Sequence, residues 1–149
     1  MKVIASNKKV AHDYFILDSF EAGIVLKGTE IKSVRLGKVN INDSYARIKD
    51  YECFLVNSHI AKYAFGNIFN HDETRERKLL LTKHEIIRLF SKIKTDNLTL
   101  IPTKVYIKDG FCKVELALCK GKKLHDKRDD QKAKDQKERL EKTIKNYRD

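Results

Sequence analysis

Apolar and polar positions alternate along several stretches of this chain, and the alternation predicts strands. Residues 14–26 are rich in aromatic and β-branched side chains and read as one long bent strand or two short ones, with a bend or bulge at Gly23. Residues 45–48 and 53–56 form two apolar runs around Lys49-Asp50-Tyr51-Glu52, the pattern of a hairpin. Residues 98–107 and 111–120 form a second pair joined by Lys108-Asp109-Gly110, where Asp-Gly between apolar runs is a strong turn signal. In the last run Cys112, Val114, Leu116 and Leu118 alternate with Lys113, Glu115 and Ala117, which predicts one core face and one face turned to solvent or ligand. Pro102, the lone proline, marks an edge or a bulge in the partner strand.

The period changes to that of a helix in two places. Thr29 offers an N-cap, Ile31 and Val34 recur at helical spacing, Lys32 and Arg35 lie on the other side, and Gly37 can close the helix in the left-handed conformation. Thr82-Lys83-His84-Glu85 has the spacing of a capping box, followed by Ile86, Phe90 and Ile93 on one face. Five or six short strands with two small helices in roughly 120 residues predict a mainly β fold: an oligonucleotide-binding (OB) type antiparallel barrel with helices packed outside.

From Lys120 onward the apolar pattern stops. Past Arg128 helix formers dominate without Gly or Pro, and Leu140, Ile144 and Tyr147 make only a narrow stripe. Such a stripe cannot hold a helix in water, so residues 120–149 are expected to be disordered alone and helical when bound. The chain thus divides into a barrel domain, 1–119, and a basic tail, 120–149. The tail carries +5 of the total +11 charge and the barrel the other +6. A core can form only in the first part.

That charge directs attention to a polyanion, since each neutralised phosphate releases condensed counterions. Nucleic acid is the first candidate and an anionic membrane surface the second. No stretch approaches the roughly 20 apolar residues of a membrane span, and the N-terminus lacks a signal-peptide pattern, so a soluble, unprocessed protein is expected. Cys53, Cys112 and Cys119 are odd in number and without paired spacing. They read as buried thiols in a reducing cytoplasm, with Cys112 and Cys119 on opposite strand faces.

Catalytic signatures are weak. There is no phosphate loop, HExxH, GxSxG or dinucleotide fingerprint. His59 reads as a packed or hydrogen-bonded histidine and His84 as a polar residue of a first helical turn. Glu21, Glu30, Asp43 and Asp72 could gather metal ions for a ribonuclease, although their spacing does not favour it. The basic residues cluster better: Asn7-Lys8-Lys9 before the first strand, Lys32 and Arg35 on a helix, Arg75-Glu76-Arg77-Lys78 before an apolar run, and Lys113 on a strand face. Together they could track an RNA backbone, with Tyr63, Phe65 and Phe69 either in the core or offered for stacking. In the tail, Gly121 frees the chain where the barrel ends, Lys122, Lys123, Lys127 and Arg128 suit phosphates, and His125 suits a base or a phosphate. Each basic stretch by itself also reads as a solvated surface and the tail as a solubilising C-terminus, and a ribosomal or initiation-type factor that binds ribosomal RNA is a second reading of the barrel.

One set of stretches resembles a known family over nearly the whole chain. These are Asn7-Lys8-Lys9, Phe20-Glu21-Ala22-Gly23-Ile24, Gly28-Thr29-Glu30-Ile31-Lys32-Ser33, Asn42-Asp43-Ser44-Tyr45, Asn57-Ser58-His59-Ile60, Arg77-Lys78-Leu79-Leu80-Leu81 and the run from Lys120 to Arg128. They resemble the SmpB family, the SsrA-binding (transfer-messenger RNA binding) small protein B of bacteria.

The resemblance implies a non-enzymatic RNA adaptor without cofactor or metal. Its partners would be the tRNA-like domain of transfer-messenger RNA and the ribosome, chiefly small-subunit ribosomal RNA, with no membrane and one protein per RNA. The family's RNA-gripping positions fall on Asn7, Glu21, Leu80 and Lys113, beside the basic candidates Lys8, Lys32, Arg35, Arg77 and Lys78. The tail positions carried over are Gly121, Lys122, Lys123, His125, Asp126, Lys127, Arg128 and Ile144. They imply a tail that enters the empty decoding site and messenger channel of a stalled ribosome, with rescue and tagging of the unfinished peptide for proteolysis as the outcome. Two departures stand out: Glu73 where the family often has proline, and Cys119 where it often has alanine.

Overall fold

The computed structural model describes residues 1–66 and 70–123. The readings that concern Phe69 and the tail from Leu124 on, including His125, Asp126, Lys127, Arg128 and Ile144, lie outside the described residues.

Among the described residues the chain forms nine strands and three helices. In order they are β1 (Lys2–Ser6), α1 (Val10–Asp13), β2 (Tyr14–Ile24), α2 (Gly28–Arg35), β3 (Val39–Asn40), β4 (Tyr45–Lys49), β5 (Glu52–Val56), β6 (His59–Ile60), β7 (Arg77–Leu80), α3 (Lys83–Asp96), β8 (Thr99–Lys108) and β9 (Phe111–Gly121). Strands β8, β4, β5, β7, β2 and β9 follow one another in an antiparallel sheet, and β9 pairs back onto β8. The sheet closes into a ring of the OB type, with β1 added beside β8 and β3–β6 as a separate ribbon. None of the described helices is long and apolar enough to cross a membrane.

The core follows the predicted alternation. Cys112, Val114, Leu116 and Leu118 of β9 point inward with Ala22, Cys53, Leu55, Leu79 and Leu100, and Val34 and Leu89 close the barrel from α2 and α3. The other face of β9 departs from expectation beyond Glu115. Ala117 and Cys119 are buried too, under a second small cluster with Val10 and Ile101, against which Tyr14 packs. The one-turn helix α1 folds back over that end of the sheet and covers what alternation alone assigns to solvent.

Local signals set the turns. Asp109 and Gly110 have φ of 52° and 80°, and Asp50 and Tyr51 have 52° and 61°, so both hairpins close in left-handed pairs that match the strand twist. Thr82 caps α3 by accepting from the Glu85 N–H at 3.2 Å. Asn97, at φ 53°, ends the helix. Gly37, at φ 78°, closes α2 as expected.

Four details differ. The N-cap of helix α2 is Lys27, two residues before Thr29, because the Glu30 carboxylate reaches back to the Lys27 N–H at 2.8 Å, while the Thr29 hydroxyl bonds His71 Nδ1 at 2.8 Å. The irregularity in β2 lies between Ile16 and Asp18, not at Gly23. Pro102 marks a shift in the β8–β9 register, but β8 is paired on both sides and is no edge strand. On α3 Ile86 and Ile93 pack inward as expected, joined by Leu89, whereas Phe90 is 40% exposed.

Candidate nucleic-acid interface

Four strand registers place five residues in one row across the outside of the barrel. Val3 on β1 faces Tyr106 on β8, Tyr106 faces Lys113 on β9, Lys113 faces Gly23 on β2, and Gly23 faces Leu80 on β7. Their neighbours Ala22, Leu79 and Val114 point into the core, which fixes the row as outward. Glu21 stands two residues from Gly23 on the same face. The four candidates Asn7, Glu21, Leu80 and Lys113 therefore separate: three gather around Gly23, and Asn7 lies elsewhere.

Gly23 is what makes the gathering close. A Cβ at this position would lie 3.2 Å from Leu80 Cδ1 and 3.3 Å from Leu80 Cβ, so Leu80 occupies the space a side chain would take. Leu80 itself is 54% exposed, an apolar surface beside a carboxylate and an ammonium. Lys113 is half-buried, with Nζ 5.9 Å from the centre of the Phe111 ring. Lys78, two residues before Leu80 and on the same side of β7, is exposed and 3.3 Å from Glu52 Oε1.

Glu21 faces Glu115 directly across the β2–β9 pair, an arrangement of like charges that costs stability unless each is compensated. Both are. The Thr103 hydroxyl donates to Glu115 Oε1 at 2.9 Å. The Tyr106 hydroxyl donates to Glu21 Oε2, and Lys108 Nζ lies 3.5 Å from the same oxygen. The Tyr106 bond, with Lys108 and Lys113 nearby, holds the Glu21 carboxyl below its ordinary pKa despite some desolvation, and burial together with Glu21 pushes the Tyr106 phenol up.

Arg77 does not belong to the surface. Its side chain is 0% exposed, and every nitrogen is used: Nε donates to Glu30 Oε2 at 2.5 Å, Nη1 to Ser58, and Nη2 to the Asp72 and Glu73 carbonyls. It has no donor left for a phosphate. Arg75 completes the arrangement at 2.5 Å from Glu30 Oε1. This corrects the expectation that Arg77 contacts RNA. Its charge binds the loop before β7 to helix α2. His71, held between Thr29 and the Ile60 carbonyl, and Glu73, bonded to His59 Nε2 at 2.7 Å, anchor the same loop.

Asn7 is also turned inward. Its Nδ2 donates to the Ile41 carbonyl at 3.3 Å and its Oδ1 accepts from the Lys9 N–H at 3.2 Å, so it shapes the turn that exposes Lys8. Lys32 and Arg35 are exposed on α2, and Lys32 Nζ stands 5.4 Å over the Tyr63 ring. Tyr63 meets Phe65 edge-on at 5.6 Å, and Phe65 is 86% exposed, which removes the core reading for it. At the barrel's end, Gly121 still belongs to β9 and pairs with Tyr14. Lys122 then bonds the backbone of α1, its N–H to the Asp13 carbonyl at 3.0 Å and its Nζ to the Ala11 carbonyl at 3.1 Å, while Lys123 is exposed.

The four carboxylates considered for metal chemistry have separate employments. Glu30 is enclosed by arginines, Glu21 is held by Tyr106, Asp72 caps its own turn by accepting from the Thr74 N–H, and Asp43 borders a cavity of about 390 Å³ that Asn7, Ser44, Val10 and Ile101 also line. Among the described residues no three His, Cys, Asp or Glu side chains are placed to hold a metal ion. The sequence reading missed Tyr106, Lys108 and the role of Gly23. A tyrosine at an alternating position carries no local sign that its hydroxyl reaches another strand.

Comparison with known proteins gives one consistent result. A family model described as SmpB protein matches residues 4–146. The SsrA-binding protein of Thermoanaerobacter pseudethanolicus is 56% identical over 97% of this chain and 93% of its own. That of Enterococcus faecalis is 54% identical over 99% and 96%. A solved structure described as "tmRNA-SmpB: a journey to the center of the bacterial ribosome" superposes with a TM-score of 0.68 at 49% identity, covering 83% of this chain and 87% of that one. With identity above one half along nearly its entire length, the chain belongs to the SmpB family.

Proposed function

We propose that this chain is the RNA-binding adaptor of trans-translation: it binds the tRNA-like domain of transfer-messenger RNA and delivers it to stalled ribosomes. Rescue of the ribosome and tagging of the incomplete peptide for proteolysis follow. The observation that carries this reading is the match, along nearly the whole chain, to relatives named SsrA-binding protein. The barrel supplies a surface suited to the task. Glu21, Leu80 and Lys113 combine an acceptor, an apolar platform and a cation around Gly23, as recognition of an irregular RNA surface requires.

In this reading the adaptor makes no covalent step and needs no cofactor. It works in the cytoplasm, where ribosomes are, as one protein per RNA. Lys8, Lys32, Arg35 and Lys78 add phosphate contacts, and Asn7 contributes by holding the Lys8 turn. The segment that leaves β9 at Gly121, with Lys122, Lys123, His125, Asp126, Lys127, Arg128 and Ile144, enters the decoding site and messenger channel and contacts small-subunit RNA.

The test is binding of the purified protein to the tRNA-like domain of transfer-messenger RNA, a generic tRNA and a hairpin RNA across a salt series. A preference for the first that survives moderate salt supports the adaptor. Equal binding to all three that collapses with salt would reduce the protein to a basic RNA-binding barrel. Truncation after Lys123 leaves β9 complete and is expected to keep RNA binding while abolishing peptide tagging.

A further inference from the structure

We propose that Tyr106 is a positioning residue for RNA recognition: its buried hydroxyl holds one oxygen of Glu21 so that the other is presented to a hydrogen-bond donor of the RNA. The inference rests on the adaptor reading and adds a residue that neither charge nor motif selects.

The geometry is specific. Tyr106 is only 4% exposed, fixed between Val3 and Lys113 in the outer row, so its ring cannot swing away. Its hydroxyl reaches diagonally over β9 to Glu21 Oε2, and Lys108 Nζ approaches that same oxygen. Glu21 Oε1 has no hydrogen-bond partner among the described residues, although the residue is exposed. Without the phenol, only the exposed Lys108 ammonium at 3.5 Å would hold the carboxylate against repulsion from Glu115 directly opposite. With it, the carboxylate is anchored at one oxygen and offers a single acceptor beside Leu80 and Lys113. Preorganisation of this kind raises affinity by removing the ordering cost at the moment of binding.

Tyr106→Phe removes the hydroxyl alone. Affinity for the tRNA-like domain of transfer-messenger RNA should fall about fivefold to tenfold, within the range of one ordinary hydrogen bond. Glu21→Gln should weaken binding at least as much, and the double variant should be no weaker than Glu21→Gln. A purely structural role for Tyr106 would instead give additive losses. A pH profile adds a second readout: the acid limb of binding should move to higher pH in Tyr106→Phe, because the bond that favours the ionised carboxylate is gone. Thermal unfolding verifies that the variants fold. Should Tyr106→Phe not fold, titration of the Glu21 side-chain carboxyl by NMR in the unaltered protein decides: a midpoint below the ordinary glutamate value supports the inference, and an ordinary midpoint overturns it. Wild-type binding by Tyr106→Phe beside weakened binding by Glu21→Gln would overturn the inference and leave the adaptor reading standing. Wild-type binding by Glu21→Gln would overturn the assignment of this face as the RNA site, and the inference with it.

Discussion

Arg77 Nε donates to Glu30 Oε2 at 2.5 Å with both side chains fully shielded from solvent, and this pair joins β7 to the start of α2. It is a structural bond made from a residue whose sequence neighbourhood reads as RNA-binding. Loss of Arg77 leaves Glu30 Oε2 buried without its donor, with only Arg75 still holding Oε1, and also removes the donors to Ser58 and to the Asp72 and Glu73 carbonyls; loss of Glu30 leaves the Arg77 charge buried without a carboxylate. Arg77→Ala is therefore expected to lower unfolding free energy by about 3–5 kcal/mol. Urea denaturation should show a lower midpoint at an unchanged slope.

The same pair makes stability depend on acid. Burial pushes the Glu30 carboxyl up, but Arg75, the Lys27 N–H and Arg77 together outweigh it and hold the group below its ordinary 4.5. A folded value below the unfolded one means that the contribution is complete above the unfolded value and is lost as pH falls through the folded value. For this group, stability should be level down to about pH 5 and then decline. Denaturation at stepped pH should show that decline in the wild type and a shallower one in Glu30→Gln.

Gly23→Ala tests the platform. The added methyl would sit 3.2 Å from Leu80 Cδ1 and 3.3 Å from Leu80 Cβ; the exposed Cδ1 can rotate aside, while the Cβ contact asks the β2–β7 pair to give by a few tenths of an ångström instead of unfolding. The expected result is a stability loss below about 1 kcal/mol with a fall in RNA affinity of about threefold or more. Calorimetry and RNA titration on one preparation would separate the two effects.

Cations that meet phosphate can be told from those that do not by salt. Lys113→Ala and Lys32→Ala should each reduce the slope of log affinity against log salt by about one. Lys78, engaged with Glu52 at 3.3 Å, must first leave that carboxylate, so Lys78→Ala should change the slope less.

Cys53, Cys112 and Cys119 are buried and unpaired, and burial pushes each thiol up to about 11. At neutral pH they should react slowly with a thiol reagent such as dithionitrobenzoate in the folded protein. All three should react promptly in guanidinium.

The amino-acid sequence by itself determined the elements whose cause is local. Alternation from Cys112 to Leu118 made β9 an inward-facing strand, Asp109-Gly110 and the residue pair 50–51 closed the hairpins, and Thr82 with Glu85 started α3. Each depends on residues within a few positions of one another, so spacing carries the information. The grouping of Glu21, Leu80 and Lys113 came from family resemblance; their spacing did not reveal it.

Tertiary structure alone decided which charges are surface and which are core. Arg77 and Glu30 are 47 residues apart, and Tyr106 and Glu21 are 85 apart. An arginine reads alike in sequence whether solvent or a carboxylate awaits it; desolvation and partner choice are properties of the surroundings that the strand registers assemble. The same reason explains Ala117 and Cys119, buried in the cluster that Val10 of α1 completes, and Phe65, left exposed outside both core clusters. Gly23 signalled only backbone freedom in sequence, and the pairing of β2 with β7 made it the place where Leu80 lies close.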